Sequence, residues 1–183
     1  MIRYLDVFDF DGTLFNSPLP PDWWKDKAEW FYGIESLTPP CIPEVPSDWW
    51  IESTVREAFR ALSDVNHYVI LMTGRNRDVF TSRVIQLIGQ RDLEFDEVHL
   101  SDRKDTIAFK VENIERVLAG YPSIKVVNVW DDMINRTPAY RAAVEKTGAK
   151  FKLHIVSVKE RKSPCTEDEF LTKKVASRYA SLV

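Results

Sequence analysis

The chain has 183 residues, 44% of them hydrophobic, and a formal net charge of −3. That length suits one domain with a sizeable core, and the mild acidity does not mark the whole chain as a nucleic-acid binder. No stretch approaches the roughly 20 apolar residues of a membrane span, and Asp6, Asp9 and Asp11 interrupt the first apolar run, so neither a membrane protein nor a secretory leader is expected.

Residues 4–8 (YLDVF) predict a buried strand. The strand breaks into Asp9-Phe10-Asp11-Gly12-Thr13-Leu14-Phe15: two carboxylates spaced two apart, a glycine and a hydroxyl. Carboxylates at the end of a buried strand are costly unless they meet a cation or do chemistry. Residues 16–46 hold seven of the ten prolines, and five of the six tryptophans (Trp23, Trp24, Trp30, Trp49, Trp50) lie close by. Proline density argues for loop and short helical turns. Such aromatic density has to pack on the body or over a site, and it has the chemistry to stack a base as well. A helix is expected over 54–63, with Thr54 and Glu57 at capping-box spacing and Val55, Phe59 and Leu62 inward.

Residues 67–72 (HYVILM) predict a second strand, ending at Thr73-Gly74-Arg75. A helix follows, with Phe80, Val84, Leu87 and Ile88 on one face and Gly89 as its stop. Residues 95–100 form a short strand. Asp105 caps a helix with Ile107, Val111, Ile114 and Leu118 inward, stopped at Gly120. Residues 124–129 predict a strand running into Trp130-Asp131-Asp132, Thr137-Pro138 opens a helix ending near Gly148, and 151–158 is a fifth strand. The tail, 166–183, reads as helical. Strands alternating with helices predict a mainly parallel sheet covered on both faces, a three-layer α/β fold with ligands at the carboxyl ends of the strands.

The residues with chemistry fall at those ends. Asp9, Asp11, Asp131 and Asp132 form an acidic cluster that repels itself unless a cation sits inside. Oxygen ligands without histidine or cysteine suit Mg²⁺. Thr73 offers a hydroxyl, Gly74 frees neighbouring backbone N–H groups for an oxyanion, and Lys110, favoured over Lys104, brings positive charge. Arg75 is read either as a rim contact to a second phosphate or base, or as a surface arginine. His67, His99 and His154 read as structural. Residues 22–64 carry nine acids and four bases, and residues 146–178 nine bases and four acids, so the last third could steer a polyanion or be a solvated lysine-rich surface. Cys41 and Cys165 lie beside prolines in loops and make neither a disulfide framework nor a zinc set, so reduced, unliganded thiols in a cytoplasmic protein are expected.

The D-x-D-G-T-L-F string, the Thr73 strand end, Lys110 and the Asp131-Asp132 strand end resemble the four motifs of the haloacid dehalogenase-like (HAD) phosphatases, over Tyr4 to about Val158. The resemblance implies a Rossmann-like fold in a single domain, 1–183, with a small insert at about 16–50. It implies that Asp9 is the nucleophile and Asp11 the acid/base, that Thr73, Gly74 and Lys110 hold the phosphoryl group, and that Asp9, Asp11, Asp131 and Asp132 bind Mg²⁺. DFDGTLFNSPLP, DWW, LMTGR, FDEVHL and the GYP helix end are similar to the Swiss Army knife RNA repair-like HAD family and to polynucleotide 3'-phosphatase domains. That group often carries an arginine after the acidic pair, where Met133 stands here. The expected activity is Mg²⁺-dependent phosphomonoester hydrolysis, with a nucleic-acid end as substrate in a repair role. A nucleotide or metabolite phosphatase and a non-catalytic binding module are the alternatives.

Overall fold

The computed structural model describes residues 1–158 and 160–180. Five strands, β1 (Tyr4–Asp9), β2 (His67–Asn76), β3 (Glu97–Ser101), β4 (Val126–Asp131) and β5 (Lys150–Ile155), form one parallel sheet in the order β3-β2-β1-β4-β5. Helices α1 (Glu52–Leu62), α2 (Arg77–Gly89), α3 (Thr106–Gly120) and α4 (Thr137–Glu145) alternate with the strands, and α5 (Glu167–Ala180) follows β5. The chain moves outward from β1 through β2 to β3, then returns to β4 on the other side of β1. The order therefore reverses between β1 and β4, and a crevice opens at their carboxyl ends.

Strand periodicity decides which face each side chain meets. Leu5 and Val7 pack with Ile114, Val117 and Leu118 of α3 and with Tyr140 and Val144 of α4. Phe8 and Phe10 pack with Val55 and Ala58 of α1 and with Phe80, Val84 and Leu87 of α2. Val127 and Val129 of β4 join the first group and Trp130 the second. Asp9 continues the series of Leu5 and Val7, and Asp131 that of Val127 and Val129. Both carboxylates are thus carried to the face covered by α3 and α4.

Several boundaries differ from the sequence expectation. Helix α1 starts at Glu52, its N-cap Ile51 makes no side-chain cap, and Thr54 is buried inside it, so the capping box does not form. Its buried stripe is Val55, Ala58 and Ala61, while Phe59 is 38% exposed. Strand β2 runs past Met72 to Asn76 with a register shift against β3 between Thr73 and Asn76, and the Asn76 side chain accepts from the N–H groups of Asp78 and Val79 to cap α2. In α3 the buried residues include Phe109 and Lys110, and Ile107, expected inward, is 37% exposed.

The insert is built from 3₁₀ turns at Trp30–Tyr32, Ile34–Leu37 and Ser47–Trp49. Leu37, Ile42, Trp49 and Trp50 belong to the core on the α1/α2 side. Trp30 is fully buried, and Trp23 and Trp24 pack with it and with Phe170 of α5. Hydrophobic packing accounts for these tryptophans. The same contacts correct the expectation for the cysteines: Cys41 and Cys165 are bonded across 124 residues. The sequence shows two isolated thiols, but the aromatic cluster and a hydrogen bond from the Trp23 indole N–H to the Cys165 carbonyl (3.2 Å) draw the two loops together.

Each of the three histidines meets a partner within the fold. His67 pairs with Asp6, His99 with Glu97, and His154 stacks on Trp130. On the outer strand, Glu97 also accepts from the Tyr68 hydroxyl (2.8 Å) and pairs with Arg116. Burial opposes its charge, yet these partners hold its carboxyl down to about 2, from an ordinary 4.5. A depressed carboxyl stabilises the fold above its unfolded value and loses that contribution as pH falls through the folded one. Glu97→Gln is expected to cost about 1–2 kcal/mol at neutral pH. Urea denaturation should show the gap to wild type closing between pH 4.5 and 2; a gap constant with pH would mean that the charge contributes nothing.

Candidate active site

The β1 turn holds the aspartate pair. Gly12 has φ of +73°, in the left-handed region that glycine enters without strain. A Cβ there would collide with Asp132 and with the guanidinium of Arg161. The turn closes through the Gly12 N–H to the Phe15 carbonyl (2.7 Å) and the Phe15 N–H to the Phe10 carbonyl (2.9 Å). Phe10 and Phe15, stacked and buried, anchor it from below.

The structure brings the sequence-identified carboxylates together, but none of them is bare. Lys110, buried on α3, places its Nζ 2.9 Å from Asp9 Oδ1 and 3.2 Å from Asp131 Oδ2. Burial lowers the Lys110 pKa, but the two carboxylates hold it above the ordinary value. Asp9 is pushed up to about 7, first by burial and then by Asp131 and Asp11, with Lys110 opposing. Asp131 is fully buried, and its Oδ1 accepts from the Met133 N–H at 2.8 Å. Lys104, the competing lysine, lies on the wall of the cavity instead.

Asp11 is held by a separate set of donors. Arg75 Nε lies 3.0 and 3.1 Å from its two oxygens and Nη2 lies 2.7 Å from Oδ1. Ser17 donates to Oδ1 at 2.6 Å and Thr73 to Oδ2 at 3.3 Å. Burial would raise the Asp11 carboxyl, but Arg75 and these donors bring it below the usual carboxylate range. Burial thus dominates at Asp9, and the Arg75 clamp dominates at Asp11.

Arg75 is not a surface arginine: it is 2% exposed, lines the cavity beside Asp9 and Asp11, lies over Phe80 and Phe31, and donates to the Phe31 carbonyl and to Ser36. The insert closes around it, and only the three-dimensional placement of Phe31 and Ser36 shows this. Thr73 is fully buried, and its hydroxyl also accepts from the Arg75 N–H at 3.2 Å. Gly74 lies against Thr106 of α3, where a Cβ would press on the Thr106 methyl.

Sequence reasoning missed Arg161. Its Nη2 lies 2.6 Å from Asp132 Oδ2, and its Nη1 reaches the Ser17 carbonyl at 3.4 Å. Asp132 is raised by burial, with Arg161 opposing. Nothing in the spacing of Lys159, Arg161 and Lys162 singles out one of the three. Asn16 donates to the Glu160 carbonyl (3.0 Å) and Lys162 pairs with Asp48, so contacts with the insert place this segment.

One oxygen from each of Asp9, Asp131 and Asp132 lies within 4.8 Å of the others. An all-oxygen set of this spacing fits a hard divalent cation such as Mg²⁺. Lys110 and Arg161 already balance part of the charge. Asp9 and Asp11 open into a cavity of about 580 Å³, walled by Leu19, Phe31 and Tyr32 of the insert, by Met133, and by Lys104, Arg136 and Arg161. Among the described residues no helix is long and apolar enough to cross a membrane.

The chain is 25% identical to the uncharacterized Saccharomyces cerevisiae protein YMR265C over 77% of its length, spanning 37% of that protein. The fold is shared with a chain of the Pnkp1/Rnl/Hen1 RNA repair complex, at TM-score 0.54 and 15% identity, over 85% of this chain and 43% of that one. It is shared also with the Legionella pneumophila effector Ceg4, at TM-score 0.50 and 16% identity, over 97% and 94% of the two chains. At these identities the solved structures speak for the fold alone, and the chain spans less than half of the yeast and RNA repair proteins. A family model, HAD domain family 1 in Swiss Army Knife RNA repair proteins, matches residues 15–174, opening just past the aspartate pair. With β1, β2 and β4 delivering Asp9, Thr73 and Asp131 to one crevice and a family model matched over most of its length, the chain belongs to this HAD domain family.

Proposed function

We propose that the protein is a Mg²⁺-dependent phosphomonoesterase that works through an aspartyl-phosphate. The observation that carries this reading is the division of labour between Asp9 and Asp11: one beside Lys110 in the metal-type triad, the other two residues away and clamped by Arg75, Thr73 and Ser17. Asp9, Asp131 and Asp132, with the Asp11 backbone carbonyl, are the groups that would hold Mg²⁺. When bound, the ion supplies Lewis-acid charge to the phosphoryl oxygens.

In the first step an Asp9 oxygen attacks phosphorus, the P–O bond to the leaving group breaks, and the departing oxygen takes a proton from Asp11. In the second, water gives a proton to Asp11 and attacks phosphorus, which releases phosphate and frees Asp9. Arg75 and its neighbouring donors favour the ionised form of Asp11. An arriving phosphate dianion offsets Arg75 and moves Asp11 towards the protonated form that the first step needs. Lys110 and the Thr73–Gly74 turn supply the remaining positive charge and donors.

For the substrate, we propose a terminal phosphate on a nucleic acid. The RNA repair family and the cationic cavity wall support this. A nucleotide or small-metabolite monophosphate is the second reading, favoured by a cavity of about 580 Å³, well within the size of small-molecule sites. Initial rates with and without EDTA on 3'- and 5'-phosphorylated oligonucleotides, mononucleotides and sugar phosphates separate the two. The expected result is Mg²⁺-dependent release, faster from an oligonucleotide, with an advantage that shrinks as salt rises. Equal or higher kcat/KM on a mononucleotide or sugar phosphate at low salt would promote the second reading. Release of no phosphate from any ester would leave a binding module on a HAD scaffold.

A further inference from the structure

The cavity above Asp9 and Asp11 joins two surfaces that are costly to leave uncovered. Leu19, Tyr32 and Met133 line it while 53%, 46% and 37% exposed, so apolar and aromatic surface faces water beside the carboxylates. Lys104 and Arg136 line the same cavity, and among the described residues neither has a carboxylate within 4.0 Å. Their neighbours are neutralised: Arg103 by Asp102 and Glu112, and Arg161 by Asp132. Among the described residues that line this mouth, free positive charge is thus confined to two side chains.

We infer that this cavity is a leaving-group subsite with a two-nucleotide footprint, in which the terminal nucleoside of a single-stranded nucleic acid covers Tyr32 and Met133 and the next phosphodiester lies on Lys104 and Arg136. The inference rests on the phosphomonoesterase reading of Asp9 and Asp11 and adds the residues that select the substrate. An aromatic side chain stacks any base with little regard to sequence. Two unpaired cations suffice to hold one phosphodiester, and among the described residues the paired arginines beyond offer no continuing track for more. A volume of about 580 Å³ takes one nucleoside and not a length of strand. Affinity should therefore step up once along the chain length and then stop rising.

The test is a length series of terminally phosphorylated mono-, di-, tetra- and octanucleotides, with p-nitrophenyl phosphate as the reference ester, at one low ionic strength. The expected result is a step of roughly tenfold in kcat/KM from mono- to dinucleotide, carried in KM, and a change of less than about twofold beyond it. In Lys104→Ala/Arg136→Ala the step should disappear. In Tyr32→Ala the ratio of dinucleotide to p-nitrophenyl phosphate kcat/KM should fall roughly tenfold, with Tyr32→Phe restoring it because stacking needs the ring and not the hydroxyl. Rates that climb steadily to the octanucleotide, a flat series, or a step that survives in the double variant would each overturn the footprint. If none of these esters, p-nitrophenyl phosphate included, is hydrolysed with Mg²⁺ present, the phosphatase reading fails. Fluorescence anisotropy of labelled di- and octanucleotides on the unmodified protein then decides the subsite by itself: equal affinities abolished in the double variant support it, and affinity rising with length or unaffected by the variant overturns it.

Discussion

Asp9→Asn should remove turnover of every phosphate ester, by roughly 10⁵-fold or more, because an amide oxygen is a poor nucleophile and no second group is placed to replace it. Asp11 cannot substitute, since Arg75, Ser17 and Thr73 occupy its oxygens. The loss should come without unfolding. Asp9 is held against Lys110 beside Asp131, and removing one of two neighbouring buried carboxylates leaves Lys110 paired with the other. Thermal denaturation of Asp9→Asn should therefore match or exceed that of the wild type while the rate with Mg²⁺ vanishes. Wild-type rates in the variant would mean that the nucleophile is misassigned. Asp11→Asn should lose less, about 10²–10⁴-fold, because it removes proton transfer and leaves attack on phosphorus in place.

The parts of this site that the sequence makes legible depend on strand geometry. A period of two along β1 and β4, read from apolar runs that end in carboxylates, is enough to place Asp9 and Asp131 at one end of a parallel sheet. Thr73 follows in the same way, although β2 continues to Asn76 rather than stopping before the Thr-Gly turn. Helix faces are harder to read. The stripe Ile107, Val111, Ile114 and Leu118 has helical spacing, but α3 buries Phe109 and Lys110 and leaves Ile107 at the surface. No hydropathy pattern turns a lysine inward; the two carboxylates waiting on the sheet do so.

The cations that complete the site were the least legible. Arg75 lies two residues from Thr73 in the sequence, but its burial comes from Phe31 and Ser36, with a separation of 44 and 39 residues for the two hydrogen bonds. Arg161 reaches Asp132 across 29 residues, from a segment ordered by its contacts with the insert. The cysteine pair has the same origin, as two loops are joined by aromatic packing that only the folded chain assembles. The proline- and tryptophan-rich insert therefore does more than cover the core. It walls the cavity with Phe31 and Tyr32, orients Arg75, and docks the segment that carries Arg161.

Lys110→Met should be the most destabilising single change at the site. Lys110 and Asp131 are 2% and 1% exposed at the side chain and Asp9 is 7% exposed, so all three charges are out of water. Methionine fills a similar volume, so the cost comes from charge and not from a cavity. It leaves two buried carboxylates facing each other without their shared cation, and breaking a buried pair in this way typically costs about 3–5 kcal/mol. Two measurements separate this electrostatic origin from a packing defect. Adding Asp9→Asn to Lys110→Met should recover part of the loss, giving a non-additive cycle in chemical denaturation. Mg²⁺ should raise the denaturation midpoint of Lys110→Met more than that of the wild type, because a cation bound only by the folded protein stabilises it and here also replaces the missing charge. A Lys110→Met variant as stable as wild type in EDTA, or one whose instability is unchanged when Asp9→Asn is added, would show that Lys110 is not the group holding these carboxylates together.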